Sequence, residues 1–568
     1  MYKKSVDHKQ LDAFSSPTEY LKDSSMNYYL KNESWHNQFR KQVVMRVDES
    51  IFSVLYTKDK GAPNASIRVL VGMMILKEGQ GWSDEQLFEN CNFNLLVRSA
   101  LGLMTLDDQV PVASTYYLFR HNLVEYAKEH QQDLFKECQA QITKSQILEF
   151  NVSGKQVRMD SKLIGSNIAW YTRYELIHET LRLFICERQE FIYKRSLSKE
   201  EFSLIKRIEG ETGNKVVYRS TKEEIDARFI ALGQLMYKFI NIFKSNSYGR
   251  YQTLKTVFYQ QYSLSKEKII LPLENEEISA KSIQSPHDTD CHYRNKDSNK
   301  VKGYSANITE TCDQPKENEE DKPVLNLITD TRVEVVTASD CSFLQQALSD
   351  SQEILPGRIK RVYADGAYNS IQNQDFCQQN TIDLLLTAMQ GGKPRYEVSL
   401  DLQDQNRLIV IDNKTGNRIE SQRVKTRKDP NQKKWRIKTD KGKNRYFDTE
   451  TLRAALLRQK LREIPIGESN IRCNVEATIF QLGYHYSNDK SSYRTLAKHK
   501  LWAYARSLWI NFVRILKYVT QICQRTLSCL QKANYVINIC NIIILYVFVK
   551  TIKIITDKNP RYRQFSIC

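Results

Sequence analysis

Apolar and polar positions alternate along the chain with two periods, and the switch between them divides it. From Trp35 to about residue 150 the spacing is helical. Gly61-Ala62-Pro63-Asn64 marks a turn, after which Ala65 or Ser66 opens an apolar helix through Val69, Leu70, Met73, Met74 and Leu76. Ser83-Asp84-Glu85-Gln86 reads as a capped start for a helix carrying Leu87, Phe88 and Cys91. Val110 to Thr115 begins another, continued by Tyr117, Leu118, Leu123 and Val124. Then the period changes. Gly154 to Asp160 reads as a strand ending in an aspartate, with Ser161 to Ile164 continuing it and Gly165-Ser166-Asn167 closing it. From Tyr171 to about Ser245 the chain is helical and rich in charge, with an apolar stripe of Ile225, Phe229, Leu232, Leu235, Met236, Phe239 and Ile240. This is the pattern of a helical insertion between two strands of a sheet.

Strand periods return at Val301–Thr309, Val324–Ile328 and Arg332–Val336, followed by a helix over Ser342–Ile354. Pro356-Gly357 then punctuates the chain before Ile359–Ala364, which alternates as a strand. Asp365 stands at its tip, and Gly366 lets the chain turn. Tyr368–Gln379 reads as a helix and Ile382–Thr387 as a short buried strand. Residues 395–450 hold short strand-like pieces such as Arg407–Ile411, separated by turns such as Asn413–Gly416. Ile471–Leu482 is helical, with Val475, Ile479 and Leu482 as its apolar face. Asn534–Ile555 is apolar and long enough for a bilayer. Asn534, Asn538, Asn541, Lys550 and Lys553 interrupt or flank it, so a C-terminal extension is expected there instead of an anchor.

The 84 Lys and Arg against 66 Asp and Glu give a net charge of +18. That favours a polyanionic partner, nucleic acid or an anionic membrane surface, without choosing between them. The twelve cysteines are scattered with no CxxC, which argues against a zinc ribbon and a disulfide framework and for a reducing cytoplasm. Met1 to Asp23 is polar and lacks the apolar core of a signal peptide. Helix-turn-helix DNA binding is a natural use for the helical region, and a packing or dimerisation module is the plain alternative. Basic residues crowd between Ser421 and Arg445, among them Arg427, Lys428, Lys433 and Lys434, with Trp435 in their midst. Such a β-rich insert suits contact with a phosphate backbone, and a solvated hairpin fits the pattern equally well.

Three carboxylates carry the chemistry: Asp160 on a strand, Asp365 at a strand tip and Glu476 on a helix. Taken singly, each has a bland reading as a solvent-facing, turn-capping or surface-paired acid. Taken together, two aspartates from strands and one acid from a facing helix are what two Mg²⁺ ions about 4 Å apart need, with Mn²⁺ able to substitute. Arg472, four residues before Glu476 on the same side of the helix, is placed to grip phosphate.

At these residues the chain resembles a bacterial insertion-sequence transposase of the DDE class, with an InsH-type N-terminal domain and an RNase H-like catalytic core. The resemblance rests on Val47–Phe52 and Ser114–Arg120 in the N-terminal part, Met159-Asp160-Ser161, Ala364–Tyr368, Arg472 with Glu476, Ser492-Tyr493-Arg494, and the stretch from Ala505 to Arg514. It implies an α/β fold, an RNase H-like mixed sheet flanked by helices. The expected divisions are a polar segment at 1–34, a helical DNA-binding domain at 35–150 and the first part of the core at 151–390, with a helical insertion about 171–280. A basic β-rich insertion follows at 391–465, the closing helices at 466–520 and an apolar extension at 521–568.

The resemblance further implies hydrolysis of a DNA strand at the element's end, then attack of the freed 3′-hydroxyl on target DNA. The expected partners are double-stranded DNA, as terminal inverted repeats and target, and a second subunit in a homodimer; no membrane partner is expected. The expected site is the bacterial cytoplasm, at the nucleoid. Lys393, Arg427, Lys428, Lys433, Lys434, Trp435, Arg472 and Arg494 are the expected DNA contacts. Two positions depart from the family pattern: Ser469 stands where it has tyrosine and Gly483 where it has lysine. The insert also lacks the cysteine pair many relatives carry. A nuclease of the same fold without strand transfer, a DNA-binding repressor without catalysis, and, from the apolar tail, a basic membrane-associated protein are the alternatives.

Overall fold

The structure is a computed structural model. It describes residues 1–4, 18, 21–195, 197–244, 249–296, 298–315, 322–387, 394–401, 404, 407–424, 433–439, 442–463 and 466–558.

Seven helices come first: α1 (Asp23–Leu30), α2 (Trp35–Gln42), α3 (Ile67–Gln80), α4 (Asp84–Phe93), α5 (Leu95–Leu101), α6 (Ala113–His130) and α7 (Leu134–Glu149). Their ends follow local chemistry. The Ser66 hydroxyl accepts from the Val69 N–H to open α3, and Gly81 closes it at φ 70°, a backbone angle glycine adopts without a Cβ clash. Ser83 and Gln86 form the capping box of α4. Helix α3 is apolar on nearly every side and is buried accordingly, from Val69 to Leu76. The core around it takes in Leu501, Tyr504, Ala505, Leu508 and Phe512 from the last helix, so these helices do not close their core alone.

The central sheet is built from β1 (Gln156–Gly165), β4 (His292–Lys296), β5 (Asn299–Thr311), β6 (Ile328–Val335), β7 (Arg361–Ala364) and β8 (Asp383–Leu386). Strand β5 pairs antiparallel with β1, β4 and β6, while β1, β7 and β8 run parallel. Helices cover both faces. Val157, Met159, Val362, Ala364, Leu384 and Leu386 point one way, toward α13 (Leu344–Ile354) and α7. Tyr304, Ala306, Ile308 and Val333 meet α16 (Ile466–Leu482) and α17 (Leu496–Lys558) on the other. This is a mixed α/β architecture with a central mixed sheet flanked by helices, consistent with an RNase H-like fold. Beyond β7, α14 (Ile371–Gln379) starts three residues later than its pattern suggests, because a 3₁₀ turn at Gly366–Tyr368 intervenes and Ser370 supplies the cap.

Between β1 and β4 lie α8 (Arg173–Tyr193), α9 (Lys199–Gly210), α10 (Gly213–Arg219), α11 (Lys222–Ile242) and α12 (Arg250–Gln261), with a hairpin of β2 (Tyr262–Leu264) and β3 (Ile270–Pro272). They bury a core of their own around Phe184, Phe239 and Phe258. Between β8 and α16 are two three-stranded sheets, β9 (Tyr396–Leu400), β10 (Leu408–Asp412) and β11 (Arg418–Glu420), then β12 (Gln422–Val424), β13 (Lys434–Lys438) and β14 (Asn444–Asp448). The strand pattern stops at Asp448, which accepts from the Thr451 N–H as α15 (Thr449–Glu463) begins.

The start of α17 is pinned by His499, which is fully buried. Its Nδ1 proton goes to the Thr495 carbonyl (2.8 Å), leaving Nε2 to accept from the Ser491 hydroxyl (2.7 Å). Burial lowers the imidazole to about 4. The native state therefore binds fewer protons than the unfolded chain, and stability is lost as pH falls from about 6.5 toward 4. The expected loss is about 3 kcal/mol at pH 4. Urea unfolding at pH 7 and pH 4.5 checks this: His499→Gln should be less stable at pH 7 and lose less on acidification than the wild type. Among the described residues no helix is long and apolar enough to cross a membrane. The backbone of α17 runs on through the apolar stretch to Lys558.

Candidate active site

Strand alternation on β1 decides which side chains can reach the site. Val157 and Met159 face the α13 side, so Arg158, Asp160 and Lys162 face α16. Their partners agree: Arg158 reaches the Ile471 carbonyl (2.8 Å), Asp160 reaches Arg472, and Lys162 reaches Asp489 (2.6 Å). Asp160 lies in the middle of its strand, not at its end, because the following residues, Ser161 to Gly165, keep pairing with β5.

Asp365 follows the last residue of β7 and caps the 3₁₀ turn by accepting from the Gly366 N–H. The parallel ladder sets Arg158 opposite Tyr363. Two residues further along come Asp160, still on β1, and Asp365, one residue past the end of β7, with the paired strands roughly 4.8 Å apart. The turn is tied to the sheet by Asn307, whose amide donates to the Tyr368 hydroxyl and to the Asp160 carbonyl.

Helix α16 packs across β1 and β7 and brings Arg472 and Glu476. The Arg472 guanidinium sits among all three acids. Its Nη2 is 2.9 Å from Asp160 Oδ2 and 4.0 Å from Asp365 Oδ2, and its Nη1 is 3.3 Å from Glu476 Oε1. Those two distances from one nitrogen keep the aspartate oxygens within about 7 Å of each other. Arg472 and Asp160 are largely buried, whereas Glu476 is 63% exposed. Burial raises the Asp160 carboxyl above its ordinary range; Arg472 and the Ser161 N–H oppose that, and Asp365 and Glu476 add to it. Arg472, read from the sequence as a grip on phosphate, is here the counter-charge that holds the acids together.

Beneath the site a buried carboxylate locks the elements. Glu310 on β5 accepts from Arg158 Nε (2.6 Å) and from the Thr478 hydroxyl (2.8 Å), and pairs with Arg514 Nη1 (2.7 Å). It joins β1, β5, α16 and α17 at one point. The sequence pattern had no signal for it, since the strand reads there as ending at Thr309.

Lys162 is the other residue the sequence reading left without a role. A Cβ built on Gly483 would lie 3.3 Å from the Lys162 ammonium and 3.1 Å from its Cε. Gly483 follows the last residue of α16, and a lysine from β1 lies against it.

The remaining expected DNA contacts separate. Lys393, Arg427 and Lys428 lie outside the described residues. Lys433 is exposed, and Lys434 lies over the Tyr446 ring (5.1 Å). Trp435 is a correction: it is 1% exposed and packs with Tyr396, Val410, Ile437 and Phe447. Alternation on β13 turns Trp435 and Ile437 inward and leaves Lys434, Arg436 and Lys438 on the outer face. Arg494 is exposed and its Nε donates to the Asn167 carbonyl (2.7 Å), stapling the turn after β1.

Three carboxylates around one cationic group are the hard-oxygen donors a divalent cation such as Mg²⁺ takes, so the residues fit such an ion in kind. Their spacing is set by the guanidinium between them. Among the described residues no three His, Cys, Asp or Glu side chains stand close enough to hold one metal ion as placed.

Residues 28–122 match the model of a family described as a transposase domain, DUF772. No curated protein and no solved structure matches the chain. The matched stretch covers the helices from the end of α1 into α6 and stops short of the sheet. It relates the chain to transposases in part, through its N-terminal region.

Proposed function

We propose that this chain is a DDE-class DNA transposase with an RNase H-like core, which cuts DNA at the ends of its element and joins the freed 3′-hydroxyl to target DNA. The observation that carries the reading is the convergence of Asp160, Asp365 and Glu476 on one guanidinium, from two neighbouring parallel strands and the helix facing them. The transposase-domain match over 28–122 and the net charge of +18 support it.

Asp160, Asp365 and Glu476 would hold Mg²⁺, or Mn²⁺ in its place, which when bound supplies positive charge to the attacking and leaving oxygens of phosphoryl transfer. The chain's own residues prepare the site. The Ser161 N–H fixes one oxygen of Asp160 (2.9 Å) and Arg472 the other. The Arg472 fork suits a phosphodiester, and Lys162 adds a second cation on the same face. The faces of the 35–150 helices turned away from α17, and the outer face of β13, are the surfaces assigned to duplex DNA, element ends and target alike. Two ends must be joined, so two copies act together on DNA, at the bacterial nucleoid.

The test is a purified chain, Mg²⁺ and labelled duplexes carrying the DNA that flanks its gene. Cutting followed by joining to a plasmid is expected. Cutting without joining would make it a nuclease of the same fold. Binding without cutting, in Mg²⁺ and in Mn²⁺, would leave a DNA-binding repressor and remove the enzyme.

Lys162→Ala is expected to slow cleavage and to lower the slope of log affinity against log salt by about 1, as for one lost phosphate contact. Stability should hardly move, since its partner Asp489 is 55% exposed. An unchanged salt slope would reduce Lys162 to a partner of Asp489.

A further inference from the structure

A cleft of about 800 Å³ separates the N-terminal helices from the turn that follows α16. Helices α3, α4 and α6 form one wall; the end of α16, the following turn and α17 form the other. Two stretches that the triad leaves unused, Ser114–Arg120 and Ser492–Arg494, meet here. The Arg120 guanidinium lies over the rings of Tyr116 (5.5 Å) and Tyr493 (5.5 Å), and the Lys77 ammonium lies over Tyr493 (5.6 Å). Arg506 spans the walls, donating to the carbonyls of Glu78 and Gly79 at the end of α3 and of Gln481 and Leu482 at the end of α16.

The lining is cationic and aromatic. Five Lys and Arg face three Asp and Glu. One of those acids, Glu78, lies at the base, accepts from the Tyr493 hydroxyl, and has its carboxyl pushed up by burial. Lys498 has no ion-pair partner among the described residues. Trp82 and Tyr117 offer rings at the wall, Tyr117 with 44% of its surface exposed. A positive groove with accessible rings is the general recipe for binding a single nucleic-acid strand, whose phosphates meet the cations and whose bases stack. As a cube the volume would be roughly 9 Å on a side, narrower than a duplex, whose major groove alone is ~12 Å wide, so a strand fits and a duplex does not. The cleft also continues the site: Leu482 on its wall is six residues past Glu476 on α16, about 9 Å along the helix. At 3.4 Å per nucleotide that is about three nucleotides from the acids.

We propose that this cleft binds a short single-stranded segment of DNA next to the cutting site, with phosphates against Lys498 and Arg120 and a base against Tyr117. It deepens the transposase reading and rests on it for the identity of the strand. Fluorescence anisotropy in EDTA, with a twelve-nucleotide oligo-dT and a duplex of equal length, tests it on the full chain. Two variants are used, Lys498→Glu and Tyr117→Ala. Lys498 is in the first turn of α17, where an acid favours the helix, so folding is preserved. Each variant should weaken oligo-dT binding by roughly tenfold and leave the duplex within about threefold. Unchanged oligo-dT binding in both, or an equal loss on the duplex, overturns the proposal. Asp365→Asn, run alongside, separates the two readings. If that variant still cuts DNA, the triad reading fails while the oligo-dT data stand. If cutting needs Asp365 but neither cleft variant weakens oligo-dT, the cleft alone fails.

Discussion

Asp365→Asn is expected to stop metal-dependent cleavage of end DNA and to leave DNA binding intact. The change is nearly isosteric, and the native role of the side chain in folding is one the amide can keep. Asp365 caps its 3₁₀ turn through Oδ1, and asparagine caps as well as aspartate does. The side chain is 39% exposed, so little desolvation is at stake. What the variant loses is one of the negative charges that face Arg472 and, on the proposed reading, an anionic oxygen that would hold the metal. Ligand-held ions supply several kcal/mol of transition-state stabilisation, and each 1.36 kcal/mol is tenfold, so a fall of at least about a thousandfold is expected. Affinity for DNA should hold or rise, because a carboxylate beside the phosphates has gone. Single-turnover cleavage with anisotropy on the same protein reads both. A variant that cuts within about tenfold of the wild type would leave the three acids as a structural ion cluster around Arg472.

Much of this site was legible because its signals are local. Pro356-Gly357 and Gly366 bracket β7, so Asp365 stands out at a strand tip from eleven residues of sequence. Arg472 and Glu476 share a helix face by spacing alone. The features that escaped depend on distant pairings or on a period that charge conceals. Lys162 gains meaning only beside Gly483, more than three hundred residues away. Trp435 sits in a run of lysines and arginines, and strand alternation buries it while exposing its neighbours. The continuation of the strand past Asp160 through Ser161 to Ile164 was legible, but its pairing with β5 was not, since the partner strand lies more than a hundred residues away. The helical core of 35–150 needs five residues from α17, a dependence that no local pattern carries.

The second large effect is on folding, at Glu310. Its carboxylate is fully buried and holds two guanidinium groups, Arg158 and Arg514, which are 9% and 20% exposed. Glu310→Ala would strand both charges in an interior that cannot solvate them, at a cost of about 3–5 kcal/mol. Equilibrium urea unfolding should show this as a fall in midpoint. Glu310→Gln keeps hydrogen-bond acceptance but not charge, and should fall between Ala and wild type. The loss should reach the site as well. Arg158 holds the Ile471 carbonyl, one residue before Arg472, and stands two residues before Asp160 on the same face. Cleavage by folded Glu310→Gln should therefore slow even where its stability suffices. A triple variant decides the cause: with Glu310→Leu, Arg158→Leu and Arg514→Met together, no charge is left unpaired, and apolar replacements of buried ion clusters are often neutral or stabilising. Recovery of the urea midpoint in the triple variant would assign the cost to stranded charge. A triple variant as unstable as Glu310→Ala would assign it instead to packing between α16, α17 and the sheet.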